Sequence, residues 1–222
     1  MNKNPVPPES LLRWDINDFG WRVKFNNKYN YEWIKQKGLS EESKSLADIE
    51  KEGIDITNSE KHETGWLRNI DRLIDMLPLE FDPACYHFLD VGCGSGVSTL
   101  YFADNYNFMS YKGFDFSPSL IDAADKNKAI FNKSCVKNLN IQFSIGDANN
   151  WKCSKSKTLI YMFNPFKYET GGKFFQNNIQ TFRENNCIFA FAWDTWIEAL
   201  ASENLHKTIV RNAKHKLSLV LF

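Results

Sequence analysis

Asp90, Gly92, Gly94 and Gly96 stand at alternate positions in the stretch HFLDVGCGSGVS, directly after a short apolar run. Glycines at such a turn permit φ above zero and leave no Cβ in the way, so main-chain N–H groups can come close to a ligand. Three ligand classes use a turn of this kind. A phosphate loop needs a lysine followed by serine or threonine after the last glycine, and here Val97-Ser98 follows. A nicotinamide or flavin fingerprint needs G-x-G-x-x-G. The sixth position is Val97 counted from Gly92 and Thr99 counted from Gly94, so both registers fail. What stands is D-x-G-x-G-x-G. Asp115, in YKGFDFSPSL, lies 19 residues beyond Gly96, where a carboxylate can accept hydrogen bonds from both hydroxyls of a ribose. Asp147 follows Gly146 in IQFSIGDANNW, and Asn164-Pro165-Phe166 closes the run in LIYMFNPFKYE. Plainer roles exist for each: a turn former before a Ser-Pro helix start for Asp115, an Asx-turn for Asp147, and a rigid strand exit for Asn164-Pro165.

These residues need strand ends to hold them. Short β-rich runs at 86–91, 111–116, 141–145, 158–163 and 187–193 alternate with helical stretches, and that alternation means a parallel sheet covered by helices. Leu67, Ile70, Leu73, Ile74 and Leu77 recur at helical spacing ahead of the glycine turn, and Pro78 ends that helix. Ser117 is a candidate N-cap for a helix over 118–131, with Pro118 at its first position. The last stretch, LHKTIVRNAKHKLSLVLF, has room for two strands and a turn but no crossover helix, so it should pair antiparallel.

The full series, from Asp90 to Phe166, resembles the class I S-adenosylmethionine-dependent methyltransferases along about 130 residues, from His87 to the C-terminus. The resemblance implies an α/β fold: a doubly wound, mostly parallel seven-stranded sheet ending in an antiparallel hairpin. It implies S-adenosyl-L-methionine as cofactor, with Asp90, Gly92, Cys93 and Gly94 forming its turn. Asp115 would take the ribose, Phe116 would pack on the adenine, Asp147 would accept from the exocyclic amino group, and the Ala148 N–H would face a ring nitrogen. Three carboxylates at three strand ends favour a cationic, ribose-bearing ligand over a phosphate, which fits a sulfonium. Asn164-Pro165-Phe166 resembles two family patterns. One is the N-P-P-Y or N-P-P-F of amino-methyltransferases, here without the second proline; the other is the plain N-P-F of small bacterial methyltransferases. Asn164 is thereby the residue nearest the acceptor. Upstream, KHETGWLRNIDRLIDML is similar to the segment before the glycine turn in the non-SET histone-lysine methyltransferases. There a Glu-Thr pair, here Glu63-Thr64, helps hold the methionine end, although helix capping by Thr64 would explain the same residue.

Methyl transfer needs chiefly positioning, and a base only when the acceptor arrives protonated. Asp194, His62 and Glu63 are the candidate bases. The acceptor most in keeping with these features is a small molecule or saccharide-type metabolite. A protein or RNA acceptor docking on the cationic C-terminal segment (Lys207, Arg211, Lys214, Lys216), or a cofactor-binding interaction protein without turnover, are the alternatives; an oxidoreductase is disfavoured by the failed fingerprint.

The totals set the frame. A chain of 222 residues, 43% hydrophobic and 24% charged, suits one sizeable domain with an appended segment, here 1–62 as an accessory cap and 63–222 as the cofactor-binding domain. Lysine plus arginine (27) balances aspartate plus glutamate (27), so no net field draws the chain to nucleic acid or an anionic membrane. Five scattered cysteines form no C-x-x-C pair, so neither a disulfide framework, a zinc knuckle nor any other metal site is expected. Reduced thiols, no apolar signal core and no membrane-length apolar run predict a soluble, unprocessed, cytoplasmic protein. The aromatics of the first 60 residues, among them Trp14, Phe19, Trp21, Phe25, Tyr29 and Trp33, read as packing onto the main domain, or as a roof over the site. The acidic tract SEESKSLADIEKEGIDITNSEKHE reads as a solvated face.

Overall fold

A computed structural model of the chain describes residues 19–41, 44–57, 64–135, 138–194 and 207–222. Seven strands form one sheet: β1 (His87–Val91), β2 (Ser110–Asp115), β3 (Ile141–Ile145), β4 (Thr158–Met162), β5 (Ile188–Ala192), β6 (Thr208–Asn212) and β7 (Leu217–Leu221). Their order is β3-β2-β1-β4-β5-β7-β6. The first five pair parallel, and β7 runs antiparallel between β5 and β6. The expected α/β fold and its closing antiparallel hairpin are therefore both present. Strand order reverses between β1 and β4, and a ligand of such a sheet sits outside the carboxyl ends at that point.

Among the described residues six α-helices accompany the sheet: α1 (Phe19–Lys37), α2 (Leu46–Glu50), α3 (Leu67–Asp75), α4 (Val97–Asn105), α5 (Pro118–Ser134) and α6 (Tyr168–Glu184). Alternate strand residues face opposite sides, and the two cores divide accordingly. Phe88, Leu159, Tyr161, Ile188 and Ala190 join α1, α3, α4 and α5 on one face, while Leu89, Val91, Ile160, Met162, Phe189 and Phe191 join α6 on the other. All five residues of β4 and of β5 are buried, the mark of central parallel strands covered on both sides. Ser117 caps α5 as expected, its Oγ accepting the Leu120 N–H at 3.3 Å with Pro118 following.

One crossover departs from the strand-helix alternation. The connection from β3 to β4, residues 146–157, contains no helix. It is rich in asparagine, serine and lysine, with too few apolar residues to build an amphipathic face. Trp151 takes a helix's place instead, stacking on Phe114 at 5.4 Å and on Phe174 at 5.5 Å.

The N-terminal segment packs into the first core. Trp33, Ile34 and Leu39 belong to the same cluster as α3 to α5. Asn30, 5% exposed, donates to Gly65 O and accepts from Leu67 N, both at 3.0 Å, so it fixes the chain where α3 begins. Trp33 Nε1 donates to Asp104 at 3.2 Å and Lys37 pairs with the same carboxylate at 2.7 Å. The Tyr29 and Tyr101 hydroxyls meet at 2.7 Å. Packing, not roofing, accounts for Tyr29 and Trp33; Trp14 and the side chains of Phe19 and Trp21 lie outside the described residues. Asp71, half-buried, lies between the hydroxyls of Tyr101 (2.9 and 3.0 Å) and Tyr106 (2.6 Å), which donate to it.

The acidic tract is not a solvated face along its whole length. Ile49 is only 1% exposed, and Glu52 accepts hydrogen bonds from Ser117, Ser119 and Lys44. A carboxylate that finds three donors on another element is drawn onto it, which a charge count along the chain does not register. All five cysteines are free thiols. No described helix is long and apolar enough to cross a membrane.

Candidate active site

Gly92, Gly94 and Gly96 have φ of 73°, 52° and 78°, the left-handed region that the alternating glycines foretold. The turn hangs on β2: the N–H groups of Gly92 and Cys93 both reach Phe114 O, at 2.9 and 3.0 Å. Asp115, at the end of β2, then fixes it from the side chain. Its Oδ2 accepts the Gly94 N–H and its Oδ1 the Ser117 N–H, each at 3.0 Å. One carboxylate thus ties the glycine turn to the start of α5.

Asp115 opens into a cleft of about 500 Å³ at the carboxyl ends of the strands. Gly92, Phe116, Leu120, Asp147, Ala148 and Asn164 line it with Asp115. Six sequence-predicted residues from four strand ends (Gly92, Asp115, Phe116, Asp147, Ala148 and Asn164) therefore meet around one space. Asp147 also makes the Asx-turn: its carboxylate accepts from the Asn149 N–H at 2.9 Å and from the side-chain amides of Asn149 and Asn150. The turn and the wall are one feature. Asn164 has φ 42°, a conformation asparagine tolerates better than most residues, and it turns β4 sharply into Pro165.

A narrow crevice lies on the other side of Gly92, lined by Thr64, Gly65, Asp90, Cys93, Ser95 and Tyr161 among others. It gathers three more of the predicted residues, Thr64, Asp90 and Cys93. Trp66 occupies the N-cap of α3, without a side-chain cap bond, so Thr64 does not cap the helix as the plainer reading had it. The Ser95 hydroxyl is buried and has no hydrogen-bond partner among the described residues. A buried hydroxyl aimed into a crevice fits a polar ligand end. Gly94 lines neither space; its N–H is used by Asp115.

Burial dominates the electrostatics here. Asp90, 2% exposed, is pushed up to about 7 by burial, against the hydrogen bond it accepts from Thr99 Oγ1 at 2.7 Å and with the charge of Asp115 adding to the rise. Burial likewise pushes the Cys93 thiol well up, so it is no thiolate nucleophile. A carboxyl whose folded pKa is raised stabilises the fold fully below about pH 4, and that contribution is lost as pH rises through about 7. Denaturant unfolding of wild type and Asp90→Asn is expected to diverge across this window. The variant, with no proton to lose, should gain on the order of a few kcal/mol relative to wild type between pH 4 and pH 8; a constant difference would place Asp90 in a polar setting.

Asp194 is not brought into this group. It lines neither space and is 5% exposed, accepting from Arg211 Nε at 2.7 Å and Ser218 Oγ at 2.7 Å. Held between two strands of the C-terminal hairpin, this carboxylate is not brought to the cleft with the other predicted residues. His62 and Glu63 lie outside the described residues. The cations of the C-terminal hairpin are largely engaged within the chain: Arg211 with Asp194, Lys216 over the Trp193 ring at 4.0 Å, and Lys207 with Asn186 Oδ1 at 3.0 Å. Among the described residues no cluster of three acidic, histidine or cysteine side chains could hold a metal ion.

Sequence reasoning missed Ile49, Ile54 and Asp55, which form the outer wall of the cleft, and Phe163, which also lines it. The isoleucines of this charged stretch, Ile49, Ile54 and Ile56, were the available signal. Glu52 behind them is held down at about 2: burial opposes ionisation, but hydrogen bonds from Ser119, Lys44 and Ser117 outweigh it.

Residues 88–185 match the family described as a methyltransferase domain. The match runs from β1 to the end of α6, a little under half of the chain, and contains the glycine turn, Asp115, Asp147 and Asn164. No curated protein matches the sequence. Among solved structures, the chain is similar to a possible methylase from Clostridium difficile 630, at 16% identity and a TM-score of 0.49, over 73% of this chain and 54% of that one. It is also similar to a ribosomal protein L11 methylase from Lactobacillus delbrueckii subsp. bulgaricus, at 14% identity and a TM-score of 0.42, over 70% and 74%. A plantazolicin methyltransferase in complex with SAH aligns at 18% identity and a TM-score of 0.38, over 67% and 52%. The chain thus spans about half the length of two of these three. The α/β fold itself is given by the strand order.

Proposed function

We propose that the chain is an S-adenosylmethionine-dependent methyltransferase acting on a small-molecule acceptor. The observation that carries this reading is Asp115: a buried carboxylate held by the Gly94 and Ser117 N–H groups, facing a cleft at the strand-order switch point. The residues present fit the cofactor. A glycine turn gives main-chain access, Asp115 suits a ribose, Phe116 and Leu120 give apolar surface for a base, and Asp147 with Ala148 offers an acceptor and a donor at its edge. The crevice, with Asp90, Ser95 and Thr64, suits the polar amino-acid end.

When bound, S-adenosylmethionine supplies an electrophilic methyl group on a cationic sulfur. The protein's task is then to place an acceptor in line and keep water away. Asn164, turned inward at the end of β4, is assigned to orient the acceptor. Pro165, seated against Gly92, holds Asn164 at a fixed distance from the turn. Asp115, Asp147 and Asp55 give the cleft a negative cast, which favours a cationic ligand. A small acceptor is supported by the wall of Ile49, Ile54 and Asp55, which narrows the opening, and by the internal pairing of the C-terminal cations.

Thermal unfolding with S-adenosylmethionine, S-adenosylhomocysteine and NAD tests the cofactor. The two adenosyl ligands are expected to stabilise the chain by about 2.7 kcal/mol at 100 times their dissociation constant, and NAD not at all. Stabilisation by NAD alone would overturn the reading. Stabilisation without methyl transfer to any of a broad acceptor panel would make the chain a cofactor-binding interaction protein.

A further inference from the structure

The outer wall of the cleft lies outside the methyltransferase-domain match. It is built by residues 44–57, which cross the mouth from α5 to α6. At the α5 side Glu52 accepts from Ser117 Oγ at 3.0 Å, from Lys44 Nζ at 2.9 Å and from Ser119 Oγ. At the α6 side Lys167 Nζ donates to Thr57 O at 2.9 Å. Just before the segment, Asn127 brackets Ser40: its Oδ1 accepts the Ser40 N–H at 2.9 Å and its Nδ2 donates to Ser40 O at 2.8 Å. The same Nδ2 donates to Ser95 O in the glycine turn at 3.0 Å. The segment therefore has a firm root on the cofactor turn and two polar attachments beyond it.

Its own interior is thin. The only helix in it, α2, has five residues, too few to hold its shape without tertiary contacts. Of the residues from 44 to 57 only Ile49 is buried. The Glu52 side chain keeps 19% of its surface exposed and Lys44 25%, so water can replace the donors of the carboxylate as they part. Segments with few buried apolar contacts and solvent-reachable hydrogen bonds are the ones that open locally. Yet Ile49, Ile54 and Asp55 face the cleft, so a ligand there gains contacts only when the segment is down.

We propose that residues 44–57 form a strap that opens and closes the cleft, with Glu52 as the latch on Ser117 and Ser119 of α5. A ligand with differential affinity for the closed form shifts the strap toward it, and the latch sets how fast the ligand leaves. Only the choice of probe rests on the proposed cofactor; the latch itself is a property of the free chain.

The test pairs hydrogen exchange with ligand kinetics on the full chain, using Glu52→Gln and Ser119→Ala, with melting curves to check that each variant folds. Glu52→Gln keeps one acceptor oxygen but turns the other into an amide donor and removes the charge that Lys44 meets. In the ligand-free chain, amides of 44–57 are expected to exchange about tenfold faster in Glu52→Gln, and less so in Ser119→Ala, with amides of β4 and β5 unchanged. S-adenosylhomocysteine is expected to slow strap exchange in wild type and to dissociate about tenfold faster from Glu52→Gln. Equal strap exchange in wild type and both variants overturns the latch. Wild-type chain that binds S-adenosylhomocysteine with strap exchange unchanged overturns the closing role. If S-adenosylhomocysteine fails to bind wild type, the cofactor assignment falls, and the ligand-free exchange still decides the latch.

Discussion

Asp115→Ala is expected to abolish the rise in melting temperature that S-adenosylhomocysteine gives the wild-type chain. The structure adds a second effect that a ribose ligand alone would not produce. Both oxygens of this carboxylate accept main-chain N–H groups, from Gly94 and Ser117, and the residue is 5% exposed. Removing it leaves two buried donors without a partner, at about 1–3 kcal/mol each, so the ligand-free melting point should fall as well. The two effects separate in a binding titration below the variant's melting point. The glycine turn loses its tether and the ligand loses the charged acceptor, and charge-assisted hydrogen bonds of about 1.5–3 kcal/mol translate into an affinity loss of about 100-fold. An unchanged dissociation constant alongside a lowered melting point would leave Asp115 as a turn fastener and remove it from the ligand's contacts.

The contrast between Asp115 and Glu52 explains why the candidate site was legible in the sequence and the proposed strap was not. The glycine turn, Asp115, Asp147 and Asn164 each close or follow a strand, and the central strands β1 and β4 announce themselves as apolar runs because both faces are buried. Once β1, β2, β3 and β4 are placed side by side, residues 72 positions apart, such as Gly92 and Asn164, fall at neighbouring strand ends. Period and punctuation were enough for that. The strap carries no such pattern. Glu52 contacts Ser117 and Ser119 across 65 and 67 residues of chain, and a carboxylate bound for a distant hydroxyl looks, along the sequence, like any other charge. Asp194 shows the converse: it follows β5 as the site residues follow their strands, but it bonds Arg211 and Ser218 of the antiparallel hairpin and lines neither space. Position after a strand locates a residue near the site's edge of the sheet. Which partner takes its lone pairs is decided by tertiary contacts that local spacing does not encode.

Gly92→Ala is expected to destabilise the chain by more than Gly38→Ala, although both positions have positive φ, 73° and 68°. Any L-residue at such a φ costs about 1–2 kcal/mol over glycine, and that part is common to the two variants. What differs is the neighbour. A Cβ at Gly38 would meet Ile130 Cγ2 at 3.7 Å, an ordinary contact, whereas a Cβ at Gly92 would run into the ring of Pro165. Neither side can yield easily. The Gly92 N–H is bound to Phe114 O at 2.9 Å; Pro165 has its φ fixed by its ring, follows Asn164 at φ 42°, and precedes Phe166, which is 7% exposed and packed 6.0 Å from the Phe174 ring. Crowding of this kind adds about 1–3 kcal/mol, so denaturant midpoints should rank wild type above Gly38→Ala above Gly92→Ala. Because Gly92 borders both the cleft and the crevice, its variant should also bind S-adenosylhomocysteine about tenfold or more weakly, and Gly38→Ala as wild type does. Equal losses of stability in the two variants would mean that the Asn164-Pro165 loop swings aside at no cost. Such a loop could not hold an acceptor at a set distance from the glycine turn, and the positioning role assigned to Asn164 would go with it.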